Sequence, residues 1–160
     1  MEQFKSLTDL REYIKNFERY FARPIVEGEH PTLYLNSNSS NKEVFNGIQR
    51  DDYIFSSCGN WIIPSNEHGL SFSSHWQHLK GIYRMKAKRN AGKSVSVYWV
   101  IEKFDIPSGL RFVIDPRDKK GQHYLLTVCT TQPMKVSELR EKLEWIADRM
   151  SVIKDAQVAL

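Results

Sequence analysis

The chain reads as one α+β domain. Its second half holds three runs rich in β-branched and aromatic residues, amphipathic helical patterns stand near both ends, and short strand signals separated by turn residues fill the interval. At 160 residues it is long enough to bury roughly two-thirds of its unfolded surface around one core. The expected division is an N-terminal helical segment over 1–27, a β-rich core over 28–134, and a C-terminal helix and tail over 135–160.

From Ser6 to Phe21 the residues Leu7, Leu10, Ile14, Phe17 and Phe21 recur at helical spacing, and Ser6 with Asp9 fits a capping box. Arg23-Pro24 is expected to close that helix, because the residue before a proline avoids the helical region. Gly28–Pro31 reads as a turn, Thr32–Leu35 as a short strand, and Asn36 to Lys42 as a polar loop. Short strands are expected at Asp52–Phe55 and Asn60–Ile63. Ser74 with Gln77 fits a capping box for a brief helix that Gly81 would end. Ser94–Glu102, Leu110–Ile114 and His123–Thr130 follow, the first apolar on both faces toward its end and the other two similar, which suits the middle of a sheet or the space between two sheets. The last helix, Ser137 to Met150, carries Leu139, Leu143, Ile146, Ala147 and Met150 on one side. Ser137 is its expected N-cap, with Glu138 and Glu141 at its positive end.

Four Trp, seven Tyr and eight Phe supply a core and set the disordered class aside. No apolar run is long enough to cross a membrane, and Met1–Lys5 lacks the apolar segment of a secretory signal, so a cytoplasmic protein is expected. Cys58 and Cys129 belong to no Cys-x-x-Cys pair and are expected as reduced, buried thiols rather than a disulfide framework or a zinc site. The net charge is +4, unevenly spread: Lys80, Arg84, Lys86, Lys88, Arg89 and Lys93 have no acid among them. That run is either a solvated connection or a phosphate-facing patch.

Gly69-Leu70-Ser71-Phe72-Ser73-Ser74 stands between Trp61–Pro64 and a helix carrying His75, Trp76 and His78. A glycine, a Ser-x-Ser pattern and a helix start bring hydroxyls and unpaired backbone N–H groups together. The arrangement suits a helix cap, or a phosphate- or ribose-bearing ligand. His68, His75 and His78 invite a metal reading, but zinc asks for a ligand set at fixed spacing that the chain lacks. It also lacks a Gly-x-Ser-x-Gly elbow and a phosphate-cradling Gly-rich loop. His123 opens a core strand after the charged turn Asp115–Gln122. From there it either faces a cleft or sits half-buried against a strand neighbour.

Taken in order, Gly69-Leu70-Ser71, a helix, a strand into Asp105-Ile106-Pro107-x-x-Leu110, Asp115, His123-Tyr124, Pro133-Met134 and a closing amphipathic helix resemble the ADP-ribosyltransferase-like toxins delivered by type VI secretion. The resemblance runs from about Asn60 to Ile146. Ser71-Phe72-Ser73 is also similar to the Ser-x-Ser motif of mono-ADP-ribosyltransferases, which sits at a strand end before a helix.

The resemblance implies an ADP-ribosyltransferase-like split β-sandwich, with NAD held between two sheets and nicotinamide leaving the ribose through an oxocarbenium-like transition state. It implies catalytic roles for His123 and Ser71 and a cofactor-binding strand of Gly69, Leu70, Ser71 and Ser73. Ser71 would hydrogen-bond the nicotinamide ribose, Leu70 would offer backbone groups to the nicotinamide amide, and Tyr124 or Trp61 would stack on its ring. It also implies a cognate immunity protein, a macromolecular acceptor in a target cell's cytoplasm, and delivery without a signal peptide. Two positions depart from the transferase pattern of an early-strand Arg or His and a late Glu. The expected early strand, Leu33-Tyr34-Leu35-Asn36, has no cation on it, although His30 and Arg50 lie near, and Gln122-His123-Tyr124 stands where Gln-x-Glu belongs.

Two other function classes fit the residues. A nucleic-acid-directed, RNase-like toxin would use Lys86, Lys88, Arg89 and Lys93 for phosphates and Trp76, His78 and Tyr83 for bases. A non-catalytic immunity or adaptor module would use the serines as caps and His123 as structure.

Overall fold

A computed structural model of the chain describes residues 8, 9, 12, 19–35, 44–101 and 104–154. The first strand is β1 (Tyr20–Val26), followed by β2 (Val44–Phe45), β3 (Ile48–Gln49), a 3-10 turn at Arg50–Asp52, β4 (Ile54–Phe55), β5 (Trp61–Ile63) and β6 (Leu70–Ser73). Helix α1 (Trp76–Arg89) leads to β7 (Val95–Ile101), β8 (Leu110–Ile114), β9 (His123–Val128) and β10 (Met134–Lys135). Helix α2 (Val136–Arg149) and β11 (Ser151–Ile153) complete the order. Helices combined with antiparallel strand pairs make this an α+β fold.

The chain divides into two compact units, each assembled from separated segments. Met1–Pro31, Phe72–Phe104 and Met150–Leu160 form the first; Thr32–Ser71 and Asp105–Arg149 form the second. The expected boundaries at 27 and 134 do not coincide with this division.

In the first unit the strand order is β11-β7-β1-β6, with α1 packed on β1 and β7. Tyr20, Ala22, Leu79, Tyr83, Val97 and Trp99 are buried in one cluster. Each large ring so buried contributes on the order of 2–3 kcal/mol. The expected helix is corrected here: Thr8, Asp9 and Glu12 are helical, but Tyr20 and Phe21 belong to a strand. Arg19 is not helical either; the other residues of that expected helix lie outside the described residues, as do the loop Asn36–Lys42 and Glu102.

Every residue of β1 is buried, so apart from Arg23 it reads as an apolar run without alternation, and the helical spacing upstream carries falsely into it. Pro24 does not stop the strand. Its partner on β7 is Val97, and the pairing of β1 with β6 is confined to Ala22↔Ser73. A proline has no N–H to extend that second ladder, and its carbonyl accepts instead from Lys86 Nζ at 2.8 Å.

Helix α1 also departs from expectation at both ends. Its N-cap is His75, whose Nδ1 accepts from the Gln77 N–H at 3.2 Å, so Ser74 is not the cap. Gly81 lies inside the helix, which continues through the basic run until Asn90 caps the Lys86 carbonyl with both its backbone and side-chain nitrogens.

The second unit holds the order β10-β5-β4, the hairpin β2-β3, and the antiparallel pair β8-β9. Asn46 and Gly47 both have positive φ, which a two-residue hairpin turn of this hand requires. Thr32–Leu35 is not a strand. Tyr34 donates one backbone bond to Gly47, and Thr32 Oγ1 donates to the Leu143 carbonyl on α2. Helix α2 begins at Val136, whose N–H is satisfied by the Asn60 carbonyl at 3.0 Å, so Ser137 falls in the first turn rather than at the cap.

Candidate functional site

His123 is the most completely positioned of the expected site residues. It opens β9, and its backbone carbonyl accepts from the Asp115 N–H at 2.9 Å, closing the turn 115–123. Asp118 ties the turn from within, its carboxylate accepting the backbone N–H groups of Lys120, Gln122 and His123. Such an anchored turn holds its side chains in place far better than a loose charged loop.

His123 Nδ1 lies 2.8 Å from Asp115 Oδ2, with the carboxylate almost fully buried and the imidazole about one-fifth exposed. Burial alone pushes Asp115 toward its neutral form. Hydrogen bonds from the Arg117 backbone and guanidinium and from His123, with the Arg117 charge, outweigh it and hold the carboxyl below its ordinary range. An ionised carboxylate on Nδ1 keeps the ring's proton there and its basic lone pair on Nε2.

In the first unit a second constellation surrounds a residue that the sequence reading passed over. Arg23, on β1, is 8% exposed. Its Nε donates to the Pro31 carbonyl at 3.0 Å, and its guanidinium lies 5.4 Å from the Phe72 ring centroid. Phe72 is the middle residue of Ser71-Phe72-Ser73, and Ser73 pairs with Ala22, the residue before Arg23. Ser73 is buried and shares a 2.6 Å hydrogen bond with His78 Nδ1. The missed signal was a lone cation inside the apolar run Tyr20–Val26.

The remaining expected residues separate by role. Ser71 is exposed. Leu70 is buried and its N–H donates to Tyr53 Oη at 3.3 Å, so that group is committed within the fold rather than to a nicotinamide amide. Gly69 is required by packing: a Cβ there would stand 2.4 Å from the Leu126 carbonyl oxygen. Tyr124 is 7% exposed and belongs to the core, which leaves ring stacking to Trp61. Trp61, 38% exposed, lines a pocket of about 530 Å³ with Phe45, Asn60 and Lys135, and that lining does not include His123 or Ser71.

The other histidines of this region have local partners. His68 bonds to Ser65, His75 caps α1 and His78 meets Ser73. Among the described residues no group of three His, Cys, Asp or Glu is arranged to hold a metal. Both cysteines are exposed, not buried as expected. Cys58 sits in the turn between β4 and β5, where the Ser56 hydroxyl and Asn60 N–H lower its thiol's pKa. The rings assigned to bases are turned inward: Tyr83 is buried and Trp76 packs against the core cluster. Among the described residues no helix is long and apolar enough to cross a membrane.

Comparison with known proteins gives no relative: no family model, no curated protein and no solved structure matches the chain.

Proposed function

We propose that the protein is an NAD-dependent ADP-ribosyltransferase-like toxin with the split β-sandwich of that family, modifying a macromolecular acceptor and arresting growth. The observation that carries this reading is Arg23. The transferase pattern asks for a cation on an early strand, and the first described strand supplies one, nearly buried, directly beside the Ser-x-Ser strand. A guanidinium in that setting is the chemistry that a pyrophosphate or ribose asks for, because its planar fork makes charge-assisted hydrogen bonds.

NAD supplies the ADP-ribose group and nicotinamide as the leaving group, whose departing bond takes its electron pair with it. Within the first unit, Arg23 is the residue whose chemistry suits a phosphate or ribose oxygen. Ser71 hydrogen-bonds the nicotinamide ribose, and Trp61 is the exposed ring among those expected to stack. His123 takes the part of the missing late carboxylate. With Asp115 holding a proton on Nδ1, Nε2 accepts the proton of the acceptor's hydroxyl or amine as that group bonds to the ribose carbon. The reading carries with it a cognate immunity protein and an acceptor in the target cell's cytoplasm.

Expression in bacteria tests it. Wild type is expected to arrest growth, and Arg23→Lys, Ser71→Ala and His123→Ala to relieve the arrest while each purified variant keeps the wild-type circular dichroism spectrum. Arrest by all three folded variants contradicts the assignment. The nucleic-acid reading is weakened by the inward rings, since base stacking needs exposed aromatic faces.

A further inference from the structure

Two helices of equal length treat their cations in opposite ways. On α2, Arg140 pairs with Glu144 and Lys142 with Glu138, each one turn away, and Arg149 lies over Trp145. Residues 76–93, spanning α1 and its exit, carry six cations and no acid, more than the whole chain's net charge of +4. The rest of the sequence is therefore net acidic. Lys86 turns inward, onto the Pro24 carbonyl. Among the described residues Arg84, Lys88, Arg89 and Lys93 have no ion-pair partner. The helix dipole accounts for Lys88 and Arg89 near the C-terminus but not for Arg84 in the middle turns.

The outward face has a shape as well as a charge. Gln77, Gly81, Arg84, Met85 and Lys88 recur at helical spacing and are all exposed. Gly81 sits at the centre of this face, where a Cβ would meet nothing within 4 Å, so the fold itself does not require a glycine. A helix-interior glycine is unfavourable relative to alanine, and here it opens a notch beside the exposed thioether of Met85.

We infer that this face of α1 is a docking surface for an acidic segment of another protein, with an apolar side chain of the partner seated at Gly81 and Met85 beside the Arg84 and Lys88 cations. Charge complementarity names an anion, and the notch with its thioether names a protein. Nucleic acid would ask for stacking rings, which this helix buries, and a membrane surface would ask for more apolar area than one methionine. The surface serves recognition and does not depend on NAD chemistry.

The test uses the full chain and labelled probes at fixed ionic strength, read by fluorescence anisotropy. An acidic amphipathic helical peptide of about three heptads, with leucines on one face, is expected to bind at least about tenfold tighter than poly-L-glutamate of equal charge. Arg84→Glu with Lys88→Glu is expected to abolish both interactions. Gly81→Leu, whose side chain points into open space, is expected to weaken the amphipathic peptide about tenfold and leave poly-L-glutamate unchanged. Circular dichroism confirms that the variants keep the helix. Equal affinity for the two peptides overturns the inference. So does tighter binding of single-stranded RNA of matched charge, or of phosphatidylglycerol vesicles, than of the amphipathic peptide. Binding unaffected by the charge reversals overturns it too.

Discussion

The imidazole of His123 owes its chemistry to Asp115. A buried carboxylate 2.8 Å from Nδ1, held ionised by the Arg117 guanidinium and backbone, leaves the ring one basic nitrogen. Asp115→Asn keeps the size and an acceptor for the Arg117 N–H but presents an amide donor to Nδ1, which reverses the tautomer. If the proposed transferase reading holds, release of nicotinamide by this variant is expected to fall by about 10²- to 10⁴-fold while the protein stays folded. Unchanged activity would remove His123 from the base role. This residue was legible from its position at the mouth of a strand after a charged turn. Its partner was not, because Asp115 and His123 are joined by the closing of the turn, which the sequence shows only as charge. Arg23 was illegible for another reason. Next to Pro24 it looks like the end of a helix, and only the register with Trp99 and Tyr98 reveals a strand there.

At the level of elements the three core strands were legible almost to the residue, since Val95–Ile101, Leu110–Ile114 and His123–Val128 are dense in β-branched and aromatic side chains. The hairpin Val44–Gln49 announced itself by Asn46-Gly47 and was passed over. Helix α1 outran its expected stop because a glycine breaks a helix only where the chain must turn left-handed, and Gly81 does not.

The same helix carries Lys86 into the first unit. Burial, reinforced by the Arg23 charge and opposed by Glu29, pushes its pKa down to about 8. A lysine that holds its proton less tightly when folded than when unfolded makes folding stability rise with pH, over the window from about 8 to about 10.4. The urea midpoint of wild type is therefore expected to rise between about pH 8 and 9.5 relative to that of Lys86→Met, which lacks this proton. Parallel midpoints over that range would show that Lys86 is not desolvated.

The molecule as a whole is less legible than its parts. Its two compact units exchange the chain at residues 31, 71, 104 and 149, so neither corresponds to a continuous stretch of sequence, and no linker composition marks a boundary. The anchored His123–Asp115 pair belongs to the second unit, and Arg23 with the Phe72–Ser73 segment to the first. The activity proposed for the protein is transfer of ADP-ribose. The most direct measurement incubates the purified protein with NAD labelled in its adenylate phosphate and a bacterial extract, then follows label into the macromolecular fraction. Wild type is expected to transfer label and release nicotinamide in equal amounts, with Arg23→Lys and His123→Ala each reduced at least about tenfold. A folded wild-type protein that arrests growth, yet neither transfers label nor releases nicotinamide, would contradict the account.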